Sequence, residues 1–342
     1  MEPSMTNTNQ PISLAMPIWD GLPVSQQLDT ILFAEELGYD TFWMGEAWGQ
    51  EVFSTLAWLA GHTKTIRLGV GIANVYSRTP GLVAQSIATL DQISGGRAVL
   101  GLGTSGKLVV ENWHGVPFTG AAQRLKEYAE IVRMALRGDR VNYDGEIFKL
   151  KNFRMRVRPV QSNLPIYFAS ISPAGIRATG AVADGWFPIW TTPEGIRAGT
   201  TMIKETAAAA GRDAGGIVIG NGVHAIVSDD AHAWDMARAH MAYYIGGMGV
   251  FYHQTISRQG FAGEADQVRS AYLAGDRIRA AKLVSDAMVD AMMLVGPAER
   301  CRARMGDYRT AGSAMPVVEF VHGQSPAQIR ATLAGLAPTA DS

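Results

Sequence analysis

The 342-residue sequence predicts a (β/α)8 TIM barrel, and three observations carry that prediction. Short apolar runs alternate with helical patterns along most of the chain. The runs are continuous and mostly do not alternate, which marks strands buried on both faces, as in a parallel sheet covered by helices. The number of strand–helix units is close to the eight that closure requires, which favours a barrel over the alternative, an open doubly wound sheet.

The units follow in order. Ile12–Ile18 precedes a helix over Val24–Gly38, where Leu28, Ile31, Leu32 and Ala34–Leu37 keep helical spacing. Thr41–Met44 precedes Val52–Gly61, and Ile66–Ala73 precedes Pro80–Ile93. Pro80 suits a first helical turn, and Gly95-Gly96 a stop. Ala98–Leu102 leads through a loop to Ala121–Leu136. Pro165–Ser170 precedes Pro173–Ala183, Trp186–Trp190 precedes Pro193–Ala210, and Ile217–Val227 precedes Ala231–Tyr244. Pro316–Val321 precedes Pro326–Leu336 and completes the series.

Two stretches break this rhythm. Residues 138–163 hold a small hairpin over Val141–Phe148 with Asp144-Gly145 as its turn. Ile245–Ala291 is a long insertion, and insertions of that length in a barrel lie over the catalytic mouth or make subunit contacts. An apolar helix over Ser285–Leu294 could pack against a second copy or equally lie inside the fold; homodimers are common for such barrels, so a homodimer or higher homo-oligomer is expected. No linker or composition shift divides the chain, and residues 1–342 form a single domain on this reading.

Composition excludes several function classes. Lys plus Arg number 30 against 31 Asp plus Glu, with no basic run, so nucleic acid is not an expected partner. Hydrophobic residues at 47% suffice for a large core. The single cysteine, Cys301, excludes an intramolecular disulfide and a cysteine-based metal site. No apolar run reaches ~18 residues and no signal peptide is visible, so neither a membrane span nor export is expected, and a cytoplasmic protein is the default.

Barrel enzymes place their sites at the C-terminal strand ends. That rule selects Asp20, Glu46, Asn74 with Tyr76, Thr104 with Ser105, Ser170, Trp190, His224, and Glu319 with His322. Each also suits a helix cap or a satisfied loop. Gly101-Leu102-Gly103-Thr104-Ser105-Gly106 formally matches G-x-G-x-x-G, but no clear helix follows and no acidic residue ends a strand about 20 positions on. These glycines instead let a flat ligand approach the backbone. There is no G-x-S-x-G elbow and no H-E-x-x-H, and no metal site is expected. Ser170-Ile171-Ser172 before Pro173 forms a helix start whose free N–H groups suit a phosphate, or a plain N-cap with nothing bound.

Several segments together resemble the luciferase-like superfamily, in its branch that uses the deazaflavin F420. These are Phe42-Trp43-Met44-Gly45-Glu46-Ala47-Trp48-Gly49, Arg67–Ile72 through Asn74 with Tyr76, Arg78, Thr79 and Pro80, and Leu90–Arg97 with Leu100–Gly103. Glu111–Phe118 and Ala183-Asp184-Gly185-Trp186 continue the pattern. The third-strand segment is similar to that of methylenetetrahydromethanopterin reductases.

The resemblance implies a site. A third-strand bulge with a non-prolyl cis peptide at Gly71-Ile72 would press on the back of the deazaflavin, making Gly71, Ile72 and Ala73 ring contacts with Asn74 beyond them. Gly103, Thr104, Ser105 and Gly106 would flank the pyrimidine or ribityl side. Ala169, Ser170, Ile171 and Ser172 would hold the phosphate. Where relatives have Asp-His at the second-strand end, this chain has Glu46-Ala47, so the usual imidazole is absent. Glu46 and His114 remain as proton-transfer candidates. The implied activity is hydride transfer between deazaflavin C5 and an unnamed organic substrate. An FMN-dependent monooxygenase served by a partner flavin reductase and a non-catalytic flavin-binding protein are the alternatives.

Overall fold

The computed structural model describes residues 11–16 and 23–338. Asp20, and Pro17 and Ile18 of the expected first strand, therefore lie outside the described residues. The strands are β1 (Ser13–Ala15), β2 (Thr41–Met44), β3 (Arg67–Asn74), β4 (Ala98–Gly103), β5 (Val141–Asp144), β6 (Lys149–Phe153), β7 (Ile166–Phe168), β8 (Gly185–Trp186), β9 (Val218–Val227), β10 (Met293–Gly296) and β11 (Met315–Phe320). The helices are α1 (Val24–Glu36), α2 (Val52–Ala60), α3 (Pro80–Ser94), α4 (Ala121–Arg137), α5 (Pro173–Val182), α6 (Pro193–Ala209), α7 (His232–Gly247), α8 (Val250–Ile256), α9 (Ala262–Leu273), α10 (Arg277–Lys282), α11 (Asp286–Met292), α12 (Ala298–Thr310) and α13 (Pro326–Gly335).

Eight parallel strands close on themselves in the order β1-β2-β3-β4-β7-β8-β9-β11, with β11 returning to β1. This is the expected (β/α)8 barrel. Helices leave the strand ends through one repeated device. Thr79, Ser172, Thr192 and Ser325 each accept a hydrogen bond from a backbone N–H of the first turn, and each is followed by proline. The hydroxyl satisfies a donor the helix leaves unpaired, and proline lacks a donor where none is needed.

The barrel interior is plugged by its own cluster of Trp43, Val99, Tyr167, Phe187, Met315 and Val317. Trp43 stacks on Phe187 at 4.6 Å between ring centroids and meets Tyr167 edge-on at 5.4 Å. Gly69 makes the room: a Cβ there would lie 2.5 Å from the Trp43 ring.

Three elements differ from the sequence expectation. The apolar stretch Ser285–Leu294 is not one helix. It breaks at Met292, and Met293–Gly296 forms β10, a ninth strand on the outer half of β9. Met288, Val289 and Met292 pack into the insertion's own core. The expected strand Trp186–Trp190 pairs only through Trp186; beyond it Phe187 turns into the plug. The hairpin turns later than Asp144-Gly145, because Asp144 still pairs with Lys149 and residues 145–148 form the loop. Buried Glu127 on α4 holds that loop, accepting from the N–H groups of Glu146, Ile147 and Phe148 at 2.8, 3.0 and 2.9 Å.

The insertion begins inside α7 and continues as α8 to α11. It packs against Trp190, Ile226 and Val321 and so sits over the C-terminal strand ends. Among the described residues, no helix is long and apolar enough to cross a membrane.

Candidate active site

A cavity of about 360 Å³ opens at the C-terminal ends of the strands. That is within the usual range for small-molecule sites. Trp43 and Phe187, the top of the plug, contribute to its wall. One side is formed by β3 and β4, where the Ile72 side chain lies over Gly103. The β3–β4 ladder shifts register between Val70 and Ala73, and the Gly71–Ile72 peptide there is cis. Gly71 and Ile72 line the cavity together with Gly103, Thr104, Ser105 and Gly106 beyond β4. Ser105 takes a left-handed φ of 56°, and a Cβ on Gly106 would meet open space. Ala169, Ser170, Ile171 and Ser172 line the far end, where α5 starts. The insertion covers the mouth with Gly247, Met248, Phe251 and Tyr252.

Ala73, expected as a ring contact, and Asn74, expected beyond it, do not line the cavity. Ala73 is fully buried in the ladder and Asn74 is 2% exposed. Asn74 Oδ1 accepts from the Tyr76 N–H at 3.0 Å, so this side chain shapes the turn after β3. Its Nδ2 has no partner among the described residues.

The two proton-transfer candidates fare differently. Glu46 lines the cavity, but its carboxylate is not free. Arg78 donates to both oxygens, with Nη2–Oε2 at 2.9 Å, and also reaches Glu51. Burial opposes the Arg78 charge, but Glu46 and Glu51 outweigh it and its pKa is raised. A carboxylate held this way is an ion-pair member rather than an isolated acid. His114 does not line the cavity. It ends the turn Val109–Trp113, donating its N–H to Val109 O at 3.1 Å. The same segment instead delivers Phe118 to the wall.

The structure assembles a second acid–imidazole pair that sequence reasoning named only as separate strand ends. Glu319 and His224 are register partners on β11 and β9. In parallel strands such neighbours share a face, and here both line the cavity. His224 Nε2 lies 3.3 Å from Glu319 Oε2. His224 is walled by Trp190 stacked at 4.4 Å, by His240 at 4.6 Å and by Tyr244 at 5.6 Å between centroids. Loss of water pushes Glu319 up to about 8 and His224 down to about 3. Burial thus favours the uncharged form of each. The 18% exposure left to the Glu319 side chain is consistent with its place in the cavity wall. The sequence offers both residues as strand-end positions; they become a pair only through the β9–β11 register.

Comparison with known proteins follows this geometry. A family model described as luciferase-like monooxygenase matches residues 4–315. A Mycobacterium tuberculosis protein named as a coenzyme F420-dependent oxidoreductase is 30% identical over 326 residues, covering 90% of this chain and 94% of that one. The 5,10-methylenetetrahydromethanopterin reductase of Archaeoglobus fulgidus is 29% identical, covering 82% of this chain and 85% of its own. The solved coenzyme F420 dependent tetrahydromethanopterin reductase of Methanopyrus kandleri superposes with a TM-score of 0.83 at 24% identity, over 96% of this chain and 98% of its own.

Proposed function

This chain belongs to the luciferase-like monooxygenase family, and from that premise we propose that it is an F420-dependent oxidoreductase acting on a small organic substrate. The observation that carries this reading is the cavity's division of labour. One wall, Gly71-Ile72 and Gly103–Gly106, would take the flat ring, and the same cavity reaches the Ser170–Ser172 corner. There the Ser172 hydroxyl caps the Gly175 N–H at 3.2 Å, and the first N–H groups of α5 and the helix dipole favour an anion. These are the parts that a deazaflavin with a phosphorylated side chain needs. F420 appears in the names of the Mycobacterium and Methanopyrus relatives, which favours it over FMN.

Bound there in its reduced form, F420 would supply a hydride to the substrate. The chain's own residues position, exclude water and manage charge. Trp43 and Phe187 close the barrel at the base of the cavity. Arg78 fixes Glu46 at the wall. The insertion lowers Met248, Phe251 and Tyr252 over the substrate side.

Trp43 and Trp48 line the cavity and report occupancy. Titration with F420 is expected to quench tryptophan fluorescence, with FMN giving a weaker response. Tight FMN binding without an F420 response overturns the assignment. Ile72→Asp sets a charge against the ring face and is expected to weaken F420 binding at least about tenfold while the thermal unfolding curve keeps its shape.

A further inference from the structure

The cavity holds two carboxyl groups in opposite situations. Glu46 is bound by Arg78. Glu319 has no cation beside it among the described residues; it faces His224 from β9 and Tyr252 from α8. Tyr244 of α7 and His240 stand behind His224. A Cβ on Gly222 would lie 2.0 Å from Glu319 Oε1 and 2.5 Å from Ile189 Cγ2, so a side chain at that point of β9 would push the carboxyl from this position. No Lys or Arg lines the cavity among the described residues, and the rest of the substrate side is apolar, including Trp48, Phe118 and Phe251. A phosphorylated or carboxylated group would find no counter-charge there, whereas a buried neutral carboxyl is a hydrogen-bond and proton donor.

We infer that Glu319 donates a proton to the substrate, and that the substrate is an uncharged, largely apolar carbonyl compound. The inference rests on the hydride chemistry proposed above. Hydride adds to the carbonyl carbon, carrying two electrons from the reduced deazaflavin. The C=O π bond breaks onto oxygen, and oxygen takes the Glu319 proton. A C–H and an O–H bond form, the carbonyl is reduced to an alcohol, and Glu319 is left as a carboxylate. His224 Nε2–H can then donate to it until water from the open mouth returns the proton. Glu319→Gln keeps a donor of the same shape but has no proton to give.

Three measurements on the full chain test this. Infrared difference spectra between pH 6.5 and 9.5, without cofactor, are expected to show loss of a protonated-carboxyl band that Glu319→Gln lacks; the same band change in both proteins overturns the inference. Cyclohexanone binding, followed by tryptophan fluorescence, is expected to weaken about tenfold over that pH range in the wild type and to stay flat in Glu319→Gln, as loss of one donated hydrogen bond implies. A parallel slope in both proteins, no cyclohexanone binding, or tighter binding of cyclohexanecarboxylate at pH 6.5 overturns it. With reduced F420, Glu319→Gln is expected to slow cyclohexanone reduction about 100-fold with F420 affinity unchanged, the scale of general-acid catalysis; an equal rate overturns the proton-donor role. Gly222→Ala is expected to displace the carboxyl and remove the pH-dependence of cyclohexanone binding while Glu319 is still present; retention of the wild-type dependence counts against the placement. Failure of F420 to bind, with the infrared and cyclohexanone results intact, removes the proposed function and leaves Glu319 as a carbonyl-binding acid.

Discussion

Three carboxylates where the strands begin and Glu319 where they end stand in opposite surroundings. Glu35, Asp91 and Asp184 are each enclosed by donors. Glu35 Oε1 accepts from the N–H groups of Lys64, Thr65 and Ile66 at 2.8, 2.6 and 2.8 Å. Asp91 accepts from Ala98 N, Gln161 N and Gln161 Nε2. Asp184 joins Arg133 to the Ile166 N–H. Burial alone would raise Glu35, but these N–H groups outweigh it and its pKa falls. Where the strands end, Glu319 faces His224 and Tyr252 with no cation beside it among the described residues, and burial raises its pKa. Nearby polar atoms are also unmatched: His224 Nδ1, His240 Nε2 and Trp190 Nε1 have no partner among the described residues. The carboxylates at the strand starts tie helix–strand joints together, whereas these atoms at the strand ends are left for a ligand or water to meet.

The comparison can be broken by stability measurements. The largest effect belongs to Glu319. Its folded pKa, about 8, exceeds the usual 4.5, so the folded state holds its proton longer than the unfolded state. Its stabilising contribution is complete below pH 4.5 and is lost as pH rises to about 8. Wild type should therefore lose stability relative to Glu319→Gln across that window, by up to about 1.4 kcal/mol per pH unit in urea unfolding. Parallel curves would mean that Glu319 ionises normally. Next comes Asp91→Ala, which strands buried donors and should cost about 3 kcal/mol with F420 binding preserved. Smallest is Glu35→Gln, about 1 kcal/mol at pH 7. Because the Glu35 pKa is lowered, its contribution is present above 4.5 and disappears as pH falls through the folded value. A Glu35→Gln deficit that persists in acid would show that packing, not charge, is at stake.

Much of the fold was legible because local signals agree with global ones. Thr41–Met44 carries the same boundaries in sequence and structure, and Ser/Thr-Pro pairs mark helix starts at Thr79, Ser172, Thr192 and Ser325. The misses share a cause. Met293-Leu294-Val295 follows an apolar helix without punctuation, and only the outer half of β9 makes it a strand. Glu127, far from the hairpin in sequence, decides where that hairpin turns. At the site, the glycine and serine corners were readable by resemblance. Glu46 looked like a lone acid because Arg78 lies 32 positions away. Glu319 and His224, 95 positions apart, needed the β9–β11 register to become a pair.

The cover of the cavity has a further consequence. Helices α8 to α11 share a core of their own with α7, and β10 fastens that body to one flank of β9. Most of what overhangs the mouth thus arrives as a single cassette between two barrel strands. Exchanging it for the corresponding segment of a relative should redirect selectivity while the redox platform beneath is inherited intact, which makes this chain a natural chassis for recombining lids.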